Sequence, residues 1–190
     1  MVFVRVLLKP LFILVIAANC APTPAPDLYF LDAAPALNAE MTPNQRIGLA
    51  EIELPTYARK QPIASRLATY RIVQDDDHRW ATPPTEQISS TFSKLLEGKT
   101  QNSVVLRPYP RGLAPSHEVR ITFDRFLRDF EGTALMSGQY LIINRQQVVS
   151  HVRRFDYSVG ADAEGYEGYM AAVIEALSLL ADDIAADVVD

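Results

Sequence analysis

Hydrophobic positions in the first half of the chain alternate with the two-residue period of β-strands. Residues 27–31 (DLYFL) predict a short edge strand, and residues 46–55 (RIGLAEIELP) predict a strand that carries a bulge or is buried on both faces. A turn at residues 57–62 leads to a strand pair around residues 67–72, where apolar and polar positions alternate again. The acidic run DDDHRW, residues 75–80, is interpreted as the turn that ends this unit.

Two segments repeat hydrophobic residues with the period of an α-helix. The first begins at residues 82–86 (TPPTE), where a hydroxyl cap, a proline in the first turn and an acidic residue indicate a helix start. Gly98 is predicted to end this helix. Its predicted buried face consists of Ile88, Phe92, Leu95 and Leu96. The second helix is predicted from about residue 164 to residue 188, with a buried face formed by Tyr166, Met170, Val173, Ile174, Leu177, Leu180 and Ile184.

Four extended segments lie between the two predicted helices. They cover residues 102–108, 117–130, 133–144 and 146–159. Reversals are predicted at Glu131–Gly132 and Asn144–Arg145, so these segments are expected to form an antiparallel meander. The order of strands, helix, strands, helix predicts an α+β fold, with a mainly antiparallel sheet packed by two helices. The second of these helices is C-terminal and long.

The first 19 residues have the layout of a secretory signal peptide. Two basic residues precede an apolar run at residues 11–18, which ends in small residues. This run is well short of the ~20 residues that a membrane-spanning helix needs. We therefore predict a signal peptide at residues 1–19, a tether at residues 20–26 and one domain at residues 27–190. Ordinary cleavage without a lipid and an uncleaved anchor are the alternatives.

Cys20 ends the apolar run and is followed at once by the proline-rich stretch APTPAP, residues 21–26. This arrangement resembles a bacterial lipobox, although Asn19 stands where lipoboxes nearly always have Gly, Ala or Ser. The resemblance implies a covalent diacylglycerol and an N-acyl chain on Cys20, and no other cofactor is expected. Ala21 is not the aspartate that commonly retains lipoproteins in the inner membrane. Its identity implies the inner leaflet of the outer membrane of a Gram-negative bacterium, with the domain facing the periplasm.

Charge and cysteine content exclude two further classes of protein. The formal net charge is −5, and without the two basic residues of the leader 16 basic residues oppose 23 acidic ones. This balance disfavours nucleic acid as a partner, because phosphate binding needs clustered cationic surface. A single cysteine excludes an internal disulfide framework and a zinc site built from several cysteines.

Groups for catalysis or metal binding do not converge in the sequence. His78, His117 and His151 stand apart from one another and from any hydrolase or metalloprotease motif. The run Asp75–His78 could be a metal cluster, but adjacent aspartates usually form a solvated turn and the spacing of a calcium loop is absent. We therefore expect neither an enzyme nor a metal site.

Four motifs follow the cysteine leader in order. They are LYFLDAAP (28–35), IELPTYARKQPIASR (52–66), HRWATPP (78–84) and EVRITFDRF (118–126). With them the mature chain resembles the ABC-type transport auxiliary lipoprotein family, the PqiC-like lipoproteins of MCE-domain lipid transport systems. It departs from the family at Asn19 and at residues 82–84, where the family more often has an acid and a single proline. The resemblance implies a non-catalytic, lipid-anchored α+β domain that docks an MCE-domain protein at the outer membrane and supports phospholipid traffic and membrane integrity.

Tyr57, Arg59 and Trp80 are the candidate residues of the partner interface, because aromatic residues and arginine dominate binding hot spots. A core position is the alternative for Trp80, which stands at a predicted junction of strand and helix. Arginines from the later strands could form a basic stripe toward headgroups or an acidic partner, or the wet face of a sheet. They are Arg120, Arg125, Arg128, Arg153 and Arg154. Homo-oligomerisation stays open, and a periplasmic lipid-binding carrier or a structural envelope lipoprotein are the alternative functions.

Overall fold

The computed structural model describes residues 24–33, 46–50 and 52–189. The predicted signal peptide, Cys20 and the first part of the tether lie outside the described residues. The strands are β1 (Asp27–Tyr29), β2 (Arg46–Leu49), β3 (Pro62–Ala68), β4 (Arg71–Trp80), β5 (Ser103–Leu106), β6 (His117–Arg128), β7 (Ala134–Asn144) and β8 (Val149–Val159). The helices are α1 (Pro84–Thr100) and α2 (Gly165–Val189), and a short 3₁₀ helix covers Thr56–Arg59. The predicted α+β class, with a long C-terminal second helix, is confirmed.

The mixed sheet is organised around β6. β7 pairs with β6 in antiparallel orientation along its length, and β8 pairs with β7 in the same way. The other edge of β6 is shared, because β2 pairs in parallel with its first residues and β3 contacts its last residue at Ser65–Arg128. β5 continues the sheet beyond β2, while β4 and β1 continue it beyond β3. The longest ladders are antiparallel, as predicted.

β5 does not belong to the predicted antiparallel meander. It pairs in parallel with β2, where Leu106 lies opposite Leu49. Residues 107–116, between β5 and β6, contain three prolines and make no tight hairpin. β2 therefore lies between the two strands. The prediction of a meander was wrong for β5 and is confirmed for β6, β7 and β8.

The run DDDHRW forms the second half of β4, so the predicted turn at these residues was wrong. A large bulge accommodates the acidic residues, because Pro62 pairs with Arg79 while its neighbour Ile63 pairs with Asp75. Within the bulge the backbone N–H of Asp77 donates to Oδ1 of Asp75 over 3.1 Å. Local hydrogen bonds of this kind keep a polar run inside a strand, which its composition alone does not indicate.

The ends of α1 differ from the predicted ones. Its N-cap is Pro83, and the hydroxyl of Thr82 accepts a hydrogen bond from Nε2 of Gln87 over 3.1 Å without capping the helix. The predicted proline and acidic residue are present in the first turn. The helix continues past Gly98 to its C-cap Gln101, which adopts the left-handed conformation with φ 55°. A glutamine therefore takes the place that the sequence assigns to a glycine.

The core lies between the sheet and the two helices. All residues of the two predicted helical faces are buried in it or pack against it. Nζ of Lys99 lies 2.7 Å from Oδ2 of Asp182 and joins α1 to α2. Near the end of α2 the buried carboxylate of Asp187 accepts the Tyr140 hydroxyl and pairs with Arg153, each over 2.7 Å. These polar contacts fix α2 to α1, β7 and β8.

β6 and β7 approach each other closely at Gly138. A Cβ atom there would lie 2.1 Å from the Thr122 carbonyl oxygen and 2.9 Å from Cα of Phe123. The register of the two strands shifts next to this contact, between Phe123 and Arg125, so a bulge brings the backbone of β6 toward the glycine. Both clashing atoms belong to the backbone and cannot rotate away.

We expect Gly138→Ala to lower the free energy of unfolding by about 2 kcal/mol or more, because the added methyl group forces the strands apart. Gly160→Ala is the matched control, since a Cβ atom at Gly160 meets nothing within 4 Å. Its effect is expected to stay within about 1 kcal/mol in either direction. Urea denaturation measures both variants, and equal midpoints would contradict the close approach.

Candidate functional site

An open groove lies beside the first turn of α1. It consists of two cavities of about 310 and 340 Å³. Thr85 lines both of them, so the two cavities are neighbours. The first cavity is lined by Leu49, Ala50, Pro83, Thr85, Glu86, Ser89, Leu106 and Arg107. The second is lined by Ile52, Glu53, Leu54, Arg59 and Thr85. We call the two cavities together the α1 groove.

The groove exists because the pairing of β6 changes along its length. Between the parts of β6 that meet β2 and β3, Glu53 forms a single bridge. Its N–H donates to the Ile121 carbonyl over 3.0 Å, and its carbonyl accepts the Phe123 N–H over 2.8 Å. α1 begins beside this bridge with Pro83 and Pro84, whose missing N–H groups suit a helix start. The interruption of the strand layer next to a helix end leaves the open space.

Neighbouring acceptors orient the two exposed arginines of the groove. Nε of Arg59 donates to the Leu54 carbonyl over 2.8 Å. Nη2 of Arg107 lies 3.0 Å from Oε2 of Glu118. With the two glutamates of the lining, these arginines place charges of both signs around apolar side chains. A mixture of apolar contact area and peripheral charge is typical of protein-binding surfaces.

Tyr57 is half-buried in the 3₁₀ helix and connects three elements. Its hydroxyl accepts the Phe126 backbone N–H over 3.3 Å, and its carbonyl accepts Nε2 of Gln74 over 2.9 Å. Burial raises the pKa of the hydroxyl, although the hydrogen bond with Phe126 opposes this effect. Tyr57 thereby holds the 3₁₀ helix, and with it Arg59, against β4 and β6.

Trp80 lies in the core, with 2% of its surface exposed. Its ring centre is 6.3 Å from that of Phe126, and its backbone N–H donates to the Gln61 carbonyl over 2.8 Å. The structure therefore places Trp80 at the core position that the sequence offers as the alternative to an interface. Of the three candidate interface residues, Arg59 alone is exposed.

Most arginines of the predicted stripe have partners within the chain. Three pair with carboxylates, as Arg120–Glu118, Arg125–Asp156 and Arg153–Asp187. Arg128 instead lies over the Tyr166 ring, 5.0 Å from its centre. Because Arg128 and Arg153 contact Tyr166 and Asp187 of α2, on the helix side of the sheet, the arginines do not form a stripe on one face.

A buried polar cluster around Glu118 has no counterpart among the sequence predictions. Oε2 accepts the Tyr109 hydroxyl over 2.9 Å and pairs with Arg107, while Oε1 accepts Nε of Arg120 over 2.7 Å. Burial alone would raise the pKa of the Glu118 carboxyl, but the hydrogen bonds from Arg120 and Tyr109 and the neighbouring positive charges hold that pKa below its usual value. The carboxylate fixes Arg107 at the groove. Strand alternation predicts that Glu118 and Arg120 lie on the same face of β6. It does not predict that Arg107 and Tyr109, in the loop before β6, contact Glu118.

The acidic run of β4 has a structural role. The Asp75 carboxylate accepts the Tyr166 hydroxyl over 2.5 Å. His78 hydrogen-bonds to the Tyr29 hydroxyl over 2.9 Å, and its ring stacks on Tyr166 at a centre distance of 4.0 Å. These contacts join β1, β4 and α2. Within the part of the chain that the structure describes, no group of three or more His, Cys, Asp or Glu residues is placed to hold a metal ion.

Residues 29–185 match the family model of the ABC-type transport auxiliary lipoprotein component. The chain belongs to this family. The match covers the α1 groove, and it confirms the resemblance that the motifs indicate. The family description makes the protein an auxiliary lipoprotein of a transport system, which indicates a location in the cell envelope. No curated protein sequence matches the chain.

Two solved structures share the fold of this family member. A crystal structure of an uncharacterized protein has a TM-score of 0.72 at 17% identity, covering 87% of this chain and 99% of its own. A Xanthomonas campestris protein of the DUF330 family has a TM-score of 0.62 at 14% identity, covering 83% of this chain and 92% of its own. Similarity at such low sequence identity shows a common fold. Function has to be argued from the residues of the site.

Among the helices that the structure describes, none is both long and apolar enough to cross a membrane.

Proposed function

We propose that this protein is a lipid-anchored, non-catalytic subunit of an MCE/ABC-type intermembrane lipid transport system. The family match over residues 29–185 carries the proposal, because an auxiliary lipoprotein component works beside a transporter. Acyl chains on Cys20 hold the protein in the inner leaflet of the outer membrane, and the domain faces the periplasm of a Gram-negative bacterium. There it docks the MCE-domain protein and supports membrane integrity.

The α1 groove is the proposed docking surface for the MCE-domain protein. Its apolar side chains and its exposed Arg59 and Arg107 supply the two kinds of contact that protein interfaces combine. Its cavities of about 310 and 340 Å³ lie at the low end of the range for drug-sized ligands, and a phospholipid with two acyl chains is larger. Their size therefore favours docking over a role as lipid carrier.

Photo-crosslinking in cells tests the docking surface. A photoreactive amino acid at Ser89, inside the α1 groove, is expected to capture the MCE-domain protein, identified by mass spectrometry of the cross-linked band. The same probe at Val152, 61% exposed on β8, is the matched control. It is expected to capture about tenfold less, because contacts outside an interface contribute little. Capture of no MCE-domain protein would overturn the proposal, and equal capture at both positions would move the interface away from the groove.

We expect Arg59→Ala to reduce the amount of captured partner about tenfold, since arginine is among the residues whose truncation costs most at interfaces. Loss of the hydrogen bond to Leu54 is expected to lower stability by only about 1 kcal/mol, measured by thermal unfolding of the same variant. Arg154→Ala removes an equal charge from another exposed position and is expected to leave capture unchanged. Equal capture by the two variants would exclude Arg59 from the interface.

A further inference from the structure

The hairpin between β3 and β4 ends in exposed apolar side chains. Tyr70 in the turn is 99% exposed, and Leu67 and Ile72 on the two strands are 50% and 42% exposed. Phe130, in the turn between β6 and β7, is 61% exposed. We call these four residues the hairpin tip.

The two turns of the hairpin tip lie at the same end of the sheet. Ser65 of β3 pairs in parallel with Arg128, the last residue of β6, so both strands run toward this end. Nη2 of Arg66 lies 3.9 Å from Oδ2 of Asp129, which places the hairpin next to the β6–β7 turn. The exposed apolar side chains therefore lie together at one end of the sheet. Neighbouring apolar side chains on a surface indicate a site of interaction, whereas single ones do not.

The part of the hairpin nearest its tip is cationic. Residues 62–74 contain Arg66 and Arg71 and no acidic residue, whereas the aspartates of the hairpin, Asp75, Asp76 and Asp77, lie farther from the tip along β4. The turn that carries Phe130 also contains two acidic residues, Asp129 and Glu131, and Asp129 pairs with Arg66. Basic residues next to exposed aromatic and aliphatic side chains are the composition that anionic bilayer surfaces attract.

The direction of β1 places the N-terminal tether at the same end of the sheet. β1 pairs in parallel with β4, with Asp27 opposite His78, so the chain before Asp27 arrives from the side of the hairpin. The seven residues from Cys20 to Asp27 can span about 22 Å at 3.1 Å per residue. Along β3, the six residue steps from Pro62, which pairs with Arg79, to Ala68, which pairs with Arg71, cover about 20 Å. The tether is therefore long enough to bring a lipid on Cys20 level with the hairpin tip.

We propose that the hairpin tip contacts the bilayer that holds the lipid anchor and inserts Tyr70 into its headgroup region. This inference rests on the proposed acylation of Cys20. Tyrosine favours the membrane interface, because its ring is apolar and its hydroxyl stays hydrated. A second contact beside the lipid anchor would fix the orientation of the domain. The α1 groove, formed where β6 changes its partner from β2 to β3, would then keep a constant angle to the membrane plane.

Tryptophan fluorescence in vesicles tests this contact. The acylated full chain carrying Tyr70→Trp is reconstituted into vesicles of phosphatidylethanolamine and phosphatidylglycerol that contain lipids brominated near the headgroup. We expect about half or more of the added emission to be quenched, because an interfacial side chain lies beside the bromine atoms. Val152→Trp is the matched control and is expected to remain unquenched, since Val152 pairs with Leu141 and, through it, lies level with Arg120 near the other end of β6. Trp80 is buried and supplies the same background in both variants.

Flotation separates this proposal from that of the lipid anchor. Co-flotation of the full chain with vesicles reports the anchor, and quenching in the floated fraction reports the tip. If the chain does not float, the proposed acylation of Cys20 is wrong. Quenching at the tip is then measured on the full chain with an N-terminal hexahistidine tag bound to nickel-chelating lipid. Unquenched Tyr70→Trp on either vesicle overturns the tip contact. A blue shift that depends on protein concentration without vesicles also overturns it, because it indicates contact with a second copy.

Discussion

Trp80→Ala is expected to lower the free energy of unfolding by about 3–5 kcal/mol, the range for removing a large aromatic side chain from a core. The side chain is buried at the end of β4, where it meets Phe126 of the central strand β6. It belongs to the core cluster between the sheet and the helices, so its loss leaves a cavity in the core. Urea denaturation, or thermal unfolding of the purified chain, measures the effect.

Trp80→Phe is the control for this variant. It keeps an apolar ring in the same place, and we expect it to lose less than half as much stability as Trp80→Ala, since a smaller cavity remains. Partner capture by the folded fraction of either variant is expected to stay near that of the wild type. Unchanged stability with lost capture would contradict the core position and return Trp80 to the interface.

Cys20→Ser is expected to move the protein from the membrane fraction to the soluble periplasmic fraction. The hydroxyl cannot accept the diacylglycerol, because the modification requires a thiol nucleophile. Two or three acyl chains hold a protein firmly, whereas one chain binds reversibly and each buried methylene adds about 0.8 kcal/mol. Fractionation measures the change, and intact mass spectrometry of the wild type measures the acyl chains directly.

Asn19→Ala is the matched variant for lipid attachment. It restores a small residue ahead of Cys20, and we expect it to keep the acyl mass and to be processed at least as completely as the wild type. A Cys20→Ser protein that still fractionates with membranes, together with a wild type lacking acyl mass, would make the lipid anchor wrong. The family assignment would survive that result, because it rests on residues 29–185.

Predictions made from local periodicity agree with the structure where one face of an element is buried. The apolar stripes of α1 and α2 and the alternation in β6 are of this kind, because burial on one side imposes a period of 3.6 or 2. The same reasoning failed for the DDDHRW run. There a hydrogen bond inside a bulge satisfies polar groups of the aspartates, so the polar run can remain in a strand. The reasoning also failed at both ends of α1, where Pro83 and Gln101 stand in place of a hydroxyl cap and a glycine.

Pairing between distant strands was the second source of error. β5 is a short apolar extended segment like many others, but its partner is β2, which precedes it by more than fifty residues along the chain. The α1 groove depends on the same feature, because it opens where β6 exchanges β2 for β3. Long-range pairing depends on the packing of the whole core, and local sequence patterns carry no record of it.

The sequence by itself determined the α+β class, the two amphipathic helices, the antiparallel order of β6, β7 and β8 and the motifs of the family, because each depends on residues close together in the chain. Only the tertiary structure decided that Trp80 is buried, that Arg59 alone of the three candidates is exposed beside a groove, and that Glu118 holds Arg107 there. Exposure and proximity depend on which distant elements pack together. That packing is a property of the folded chain and of no single segment in it.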